Sequence, residues 1–352
     1  MTVDSWRFPH PDPELRARAM ARQAELTKPR GSLGQLESLA VELAAWQVRQ
    51  CPVARPASAI LFAADHPVAR HGVSAYPQEV TAAMVQNFVA GGAAASVLAR
   101  RQQIPLAVVD VGVARRVVVP NAEVRFVRDA VADAPAGDIR TEDALTQGVF
   151  TRCVEAGARA VDRFADDAEI LILGEMGIGN TTPSAAIAAA LLGGDPDACV
   201  GAGTGVAGPV LAHKRAAVRD ALARLGEERH PLEVCRRVGG REIAALVGAM
   251  ACAARARKTV LVDGFIVTVA ALVLARLEPA IRPALVFSHR SHEQAHSRVL
   301  EALGARPLLD LDLCLGEGSG ALLAFPLVEL ACALHAEMAT FTSASVPTRT
   351  QS

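Results

Sequence analysis

Residues 170–182 read Ile170-Leu171-Ile172-Leu173-Gly174-Glu175-Met176-Gly177-Ile178-Gly179-Asn180-Thr181-Thr182, and Pro183 follows. An unbroken apolar run of this length fits a strand buried on both faces, because a half-exposed strand would alternate with polar residues. The run stops in a cluster of glycines with Glu, Asn and Thr, and Pro183 suits the first turn of a helix. Strand, glycine-rich turn and helix make one unit of a parallel sheet. Working outward, the same unit recurs at candidate strands Ala59–Ala64, Leu106–Val111, Val260–Val262 and Leu285–Ser288, with a sixth around Leu308–Leu313. Helices are predicted over 77–101, 141–165, 183–193, 207–225, 241–256, 264–277 and 292–303. The alternation predicts an α/β fold, a mainly parallel sheet with helices on both faces. Val117–Pro135 follows neither period and is expected to be an irregular excursion.

The chain ends differ. Asp12–Gln23 and Leu33–Arg49 are charged amphipathic helices separated by Lys28-Pro29-Arg30-Gly31, and Leu322–Met338 is a further helix before a Ser/Thr-rich tail. Helices at both ends with no strand between them predict a small helical domain of residues 1–50 with 322–352. Residues 51–321 form the large α/β domain on this reading.

Composition narrows the function. Aromatics are 4% of 352 residues against 51% hydrophobic, so the core is built from Ala, Val and Leu. A net charge of −1 without a long basic block argues against nucleic acid or an anionic membrane as partner, leaving a small molecule. Seven scattered cysteines without a CxxC spacing read as reduced thiols in a cytoplasmic protein. The start shows no basic stretch followed by an apolar run, and the apolar segment Gly264–Ala275 is too short to span a bilayer.

Polar glycine clusters follow nearly every candidate strand: Ala64-Asp65-His66, Asp110-Val111-Gly112, Gly174 to Thr182, Asp263-Gly264, Ser288-His289-Arg290-Ser291 and Gly316-Glu317-Gly318-Ser319-Gly320. Ligands of open α/β sheets bind outside the carboxyl ends of the strands, so these clusters predict one composite polar site. Caps and turns also need Gly and Asp, but they do not need embedded Glu, His and Asn. Gly177, Gly179, Asn180, Thr181 and Thr182 before a helix suit an anion, with phosphate as the natural guest. Gly201-Ala202-Gly203-Thr204-Gly205 is a second such loop, and Lys214 lies on the helix after it. In a chain with 33 Arg and 3 Lys, Lys28 and Lys214 stand beside Gly- or Pro-rich loops, where an ammonium either points at a phosphate or simply faces solvent. Tyr76, the only tyrosine, either stacks on a flat ring or fills a core gap, and the residues alone favour the core. Glu317, between two glycines, is a candidate general base if burial raises its pKa.

Taken together in order, Thr27-Lys28-Pro29-Arg30-Gly31-Ser32-Leu33-Gly34, Ala64-Asp65-His66, Gly72-Val73-Ser74-Ala75-Tyr76-Pro77, Asn87-Phe88 with Gly91-Gly92-Ala93-Ala94, the Gly174 to Thr182 segment, Gly201 to Gly205, Val262-Asp263-Gly264, Ser288 to Ser291 and Gly316 to Ala321 resemble the nicotinate-nucleotide-dimethylbenzimidazole phosphoribosyltransferase family. The resemblance covers about residues 25 to 325. It implies a Rossmann-like large domain, a small helical domain from both chain ends, and a homodimer. It also implies phosphoribosyl transfer from nicotinate mononucleotide to a benzimidazole-type base in cobalamin lower-ligand synthesis, with no cofactor. Glu317 matches the catalytic base. Glu175, Gly177, Gly179, Asn180, Thr181, Gly203, Thr204, Gly205, Lys214, Asp263 and Ser291 would bind the nucleotide and its phosphate. Ser74, Tyr76, Pro77, Met176 and Leu315 would surround the base. Ala82 and Met176 stand where some members carry a larger polar residue and Leu, which bears on the choice of base. Three other readings compete: a nicotinamide-dinucleotide oxidoreductase built on Gly174-x-x-Gly177-x-Gly179, a metal hydrolase using His289, His292 and His296, and a non-catalytic base-binding protein.

Overall fold

The computed structural model describes residues 6–118, 122–201 and 208–347. The main sheet holds β1 (Ala57–Ala64), β2 (Leu106–Gly112), β3 (Arg125–Arg128), β4 (Ile170–Met176), β5 (Thr259–Val262) and β6 (Leu285–Phe287). Its order is β3-β2-β1-β4-β5-β6, and each of its pairings is parallel. That is the doubly wound Rossmann order, in which the chain reverses direction across the sheet between β1 and β4 and opens a crevice at their carboxyl ends.

Alternate residues of each strand face opposite layers. Ile60, Phe62, Leu171, Leu173, Val260 and Val262 pack under α5 (Gln147–Phe164), α6 (Thr181–Leu192), α7 (Gly208–Leu225), α8 (Pro231–Val238), α9 (Arg241–Arg255), α10 (Phe265–Leu277) and α11 (Gln294–Ala302). Ala59, Leu61, Ile170, Ile172 and Leu261 face α2 (Gln35–Gln47), α3 (Val80–Val89), α4 (Ala94–Arg101) and α12 (Ser319–Glu337). Apolar layers on both sides are why these strands read as unbroken hydrophobic runs.

Four expectations need correction. The segment Val117–Pro135 contains β3, an edge strand of Arg-Phe-Val-Arg that pairs Ala107 with Arg125 through Asp110 with Arg128. Arginines at both ends suit an exposed edge and hide the strand from a search for apolar runs; Arg128 ion-pairs with Asp110 and Asp133. The single helix expected over 77–101 breaks at Gly91, whose φ of +79° ends α3 before α4 begins. The helix α8, which the periodicity did not predict, is one short amphipathic turn pair after Pro231. Finally, Leu308–Leu313 adds nothing to the main sheet: only Leu309–Asp310 (β8) is extended, paired with His289–Arg290 (β7) in a two-stranded ribbon. The residues after it turn toward the crevice.

The terminal helices touch. Arg22 of α1 (Pro13–Glu25) donates to the carbonyls of His335 and Ala336 at 2.6 and 2.7 Å, and Leu26 bridges to Thr340. The proposed boundary between Ala321 and Leu322 falls inside α12, which starts two residues after the cavity-lining Glu317. Val80–Arg101 and Ser319–Glu337 are long and apolar enough to cross a membrane by length and composition only. The first is divided into α3 and α4, and each buries half or more of its apolar window inside the protein.

Candidate active site

A cavity of about 680 Å³ opens at the carboxyl edge of the sheet. Its walls come from the loop at 73–76, α3, the turn after β4, the start of α10, Ser291 with Glu293, and residues 312–317. The loops that seemed separate in sequence meet here because parallel strands deliver every β-to-α turn to the same edge.

Glu317 sits at the centre of a short, heavily constrained turn. Its φ is +66°, between Gly316 at +80° and Gly318 at +78°. The turn lies directly on the end of β4: a side chain at Gly174 would place its Cβ 2.7 Å from the carbonyl group of Glu317 and the amide of Gly318. Both oxygens of Asp263 hold the far side, accepting the N–H of Gly318 at 3.0 Å and of Ala321 at 2.9 Å. The Glu317 side chain is thereby turned inward, 7% exposed, and lines the cavity. Its Oε2 is buried without a hydrogen-bond partner among the described residues. Burial, with Asp263 adding like charge, pushes the Glu317 pKa up to about 7, where a general base works best.

Glu175 ends β4 on the other side of Gly316, whose Cβ would fall 2.8 Å from Glu175 Oε1. Asn180 Nδ2 donates to Glu175 Oε2. Burial first, then the charge of Glu242, raises the Glu175 pKa to about 8. Glu242 itself is buried in the first turn of α9 and bonded to His66 Nε2 at 2.7 Å, which ties the Ala64-Asp65-His66 turn beneath the same edge. Glu242 follows the pair Gly239-Gly240, but that pair separates two helices and does not follow a candidate strand, so it lies outside the pattern of polar clusters after strands.

Lys214 is fully buried. It donates to the carbonyl of Gly201 at 2.8 Å and lies 3.4 Å from Glu293 Oε1. The solvated-surface reading therefore fails. Burial lowers its pKa, and Glu293 opposes the shift. Lys28, by contrast, pairs with Glu37 at 2.8 Å and donates to the Gln23 carbonyl, so it ties the first helices together and does not line the cavity.

The cavity brings together Ser74, Tyr76, Glu175, Met176, Gly177, Gly179, Asn180, Thr181, Lys214, Ser291, Leu315 and Glu317 from the sequence-predicted set. Gly203, Thr204 and Gly205 lie outside the described residues. Asp263 is not on the wall: it is buried behind it, with its carboxylate occupied by the two amides of the Glu317 turn. Pro77 lines an adjoining hollow of about 920 Å³ with Ala82 and shares Ser74 and Tyr76 with the main cavity. Tyr76 is 51% exposed on the rim between the two, so the core reading of that residue was wrong. Sequence reasoning missed Val80, Met84, Phe265, Ile266 and Glu293. Val80 and Met84 carry an i, i+4 signal on α3, which by itself looks like any amphipathic helix.

His289 and His296 pack edge to face with ring centroids 6.2 Å apart, but the three histidines form no metal-binding cluster among the described residues. Ser291 donates its N–H to His296 Nδ1 at 2.9 Å, so Nε2 carries the proton and donates to Thr268 Oγ1 at 2.9 Å. Both nitrogens of His296 are engaged, while the His292 side chain is 75% exposed. The glycine turn Gly174-x-x-Gly177-x-Gly179 follows the fourth strand in chain order, whereas a dinucleotide fingerprint follows the first.

A doubly wound sheet with a buried ammonium, glycine-rich turns and two carboxyls raised toward neutrality at its reversal point defines a nucleotide-handling α/β enzyme. A family model described as phosphoribosyltransferase matches residues 8–346. A nicotinate-nucleotide-dimethylbenzimidazole phosphoribosyltransferase of Bradyrhizobium sp. strain ORS 278 is 52% identical over 347 residues, 97% of each chain. The protein of the same name from Pseudomonas aeruginosa strain UCBPP-PA14 is 49% identical over 354 residues, 99% of each. A crystal structure of the Thermus thermophilus enzyme of that name superposes with a TM-score of 0.89 at 43% identity, covering 96% of this chain and all of that one. The chain belongs to the nicotinate-nucleotide-dimethylbenzimidazole phosphoribosyltransferase family. The dinucleotide oxidoreductase reading is not favoured.

Proposed function

We propose that this enzyme transfers the phosphoribosyl group of nicotinate mononucleotide to 5,6-dimethylbenzimidazole or a related base, releasing nicotinate and α-ribazole 5′-phosphate for the lower ligand of cobalamin. One observation carries the assignment of roles: Glu317, raised to a pKa of about 7, lines the same cavity as Lys214. Lys214 and the turn at 177–181 are assigned to the donor's phosphate and ribose, with Ser291 beside them. Glu175, protonated at neutral pH by its pKa of about 8, is suited to donate a hydrogen bond to a ribose hydroxyl. The apolar stretch of wall formed by Val80, Met84, Met176, Phe265 and Ile266 suits a flat, uncharged bicyclic base, with Ser74, Tyr76 and Leu315 at its rim.

The bond from ribose C1′ to the pyridinium nitrogen breaks, and its electron pair leaves with nicotinate, whose ring becomes neutral. One benzimidazole nitrogen attacks C1′ from the opposite face, which gives the α-riboside. The N–H proton on the other nitrogen passes to the Glu317 carboxylate, so no charge builds on the incoming ring. A base so placed contributes roughly 10²–10⁴ in rate, and holding both substrates in line contributes further. We also place the enzyme in the cytoplasm as a homodimer; its seven unpaired thiols support a reducing compartment. The test is to mix the pure protein with nicotinate mononucleotide and a panel of bases and to identify products by mass. Absence of any riboside product with every base would overturn the proposal.

A further inference from the structure

We propose that Glu293 is the resident counter-anion of the donor-phosphate subsite: it holds the Lys214 ammonium while the cavity is empty and competes with the incoming phosphate for it. The inference rests on the reading that Lys214 meets the donor's phosphate.

Three chain segments converge on the pair. Lys214 comes from α7, Gly201 from the segment after α6, and Glu293 from the turn that opens α11. The ammonium touches the Gly201 carbonyl at 2.8 Å and Glu293 Oε1 at 3.4 Å. The Glu293 carboxylate lies flat against Gly201, where a Cβ would fall 2.7 Å from both its carbon and Oε1. Its backbone N–H donates to Ser291 Oγ at 3.3 Å, and Lys214, Ser291 and Glu293 all line the cavity. Both side chains of the ion pair are almost wholly withdrawn from solvent, at 1% and 6% exposure.

A buried ammonium without a counter-charge tends to lose its proton, because desolvation penalises the charged form. Glu293 supplies that counter-charge before substrate arrives. A phosphate approaching Lys214 then meets a carboxylate already bound to the same cation, and like charges in a poorly solvated site repel. A phosphate binds only by drawing the ammonium away from that carboxylate, so Glu293 lowers the affinity of the subsite for an incoming anion.

The experiment is titration calorimetry with inorganic phosphate, and separately with nicotinate mononucleotide, on the wild type, Glu293→Gln and Lys214→Ala. Glu293→Gln is expected to bind phosphate about tenfold more tightly, a common size for coupling between competing groups, and its KM for nicotinate mononucleotide falls by more than its kcat changes. Loss of a merely structural contact would weaken binding, so a gain separates the two roles. Glu293→Asp keeps the charge but withdraws it by one methylene, is expected to fall between, and carries the same test if the Gln variant does not fold. Phosphate affinity in these variants equal to or below wild type overturns the inference. If Lys214→Ala binds phosphate as well as wild type, the placement of Lys214 fails and this inference with it. Lys214-dependent phosphate binding that tightens in Glu293→Gln, in an enzyme that forms no riboside, would instead sink the transfer reaction and leave the counter-anion standing.

Discussion

Asp263 accepts the amide N–H of Gly318 at 3.0 Å, and with it anchors the turn that carries the proposed catalytic base. Its second oxygen takes the Ala321 amide at 2.9 Å, so a single carboxylate at the end of β5 fixes both the turn and the first residues of α12. His289 Nδ1 stands 3.8 Å from the same carboxylate.

Asp263→Asn offers an amide group where a backbone N–H needs an acceptor, leaving one buried donor unsatisfied. The cost to stability is roughly 1–3 kcal/mol. The larger expected effect is on kcat, because Glu317 is then held less firmly. We expect kcat to fall about 10²-fold, the order of a 1 Å misplacement of a reacting group, with KM for the donor nearly unchanged. Steady-state kinetics beside a thermal melt distinguish this from a direct nucleotide contact, whose loss would raise KM.

Glu317→Gln removes the base while keeping its shape. The fold should survive, since a neutral amide avoids the desolvation that lifts the Glu317 pKa to about 7. The expected loss in kcat is roughly 10²–10⁴. In the wild type, kcat/KM should rise with pH through about 7 as the carboxylate forms, and this limb should vanish in the variant. A persisting limb at the same pH would assign the titration to another group.

The positions of these groups were partly legible before the fold was known. Glu317 and Asn180 stand in glycine-rich turns, where left-handed backbone and close approach require glycine, and Lys214 follows a glycine-rich stretch of sequence between two helices. Buried parallel strands such as β1 and β4 announce themselves as apolar runs. The edge strand β3 does not, because its ends are arginines that face solvent and acids. Glu293, Val80 and Met84 escaped because a helix or its first turn gives no local sign of which polar or apolar face meets a ligand. Asp263 was expected at the nucleotide, and its carboxylate is found accepting two backbone amides behind the cavity wall. A carboxylate after a strand looks the same in sequence whether it faces a ribose or two backbone amides.

Stability should decline as pH rises toward 8. Glu175 has a folded pKa of about 8 and Glu317 of about 7, against an ordinary 4.5. Between those values the native state binds more protons than the unfolded chain, so unfolding free energy falls as pH increases. The stabilisation is fully present below about pH 4.5 and is lost as pH passes through 7 and then 8. Urea denaturation between about pH 5 and 9 on wild type and on a Glu175→Gln, Glu317→Gln double variant tests the sign. The double variant should show a flatter profile, and a wild type that gains stability steadily to the alkaline end would contradict the burial argument for both groups.

Gly174→Ala probes the contact between β4 and the catalytic turn. The added Cβ would lie 2.7 Å from the carbonyl carbon and oxygen of Glu317 and from the amide nitrogen of Gly318. All three are backbone atoms, and Asp263 holds the turn from the other side, so no flexible side chain can give way. The strand resists as well, because Leu173 and Gly174 are paired with β1 at Ile60 and Leu61. Either the Glu317 turn lifts off the sheet or the strand end distorts, at a cost of about 1–3 kcal/mol typical of overpacking. We expect a lower melting temperature and a fall in kcat of about 10² or more, since the base moves by the order of 1 Å. Asp263→Asn combined with Gly174→Ala should lose less than the sum of the two stability effects, because a released turn accommodates the methyl group. Strict additivity in that double-mutant cycle would mean that the strand, and not the turn, absorbs the strain.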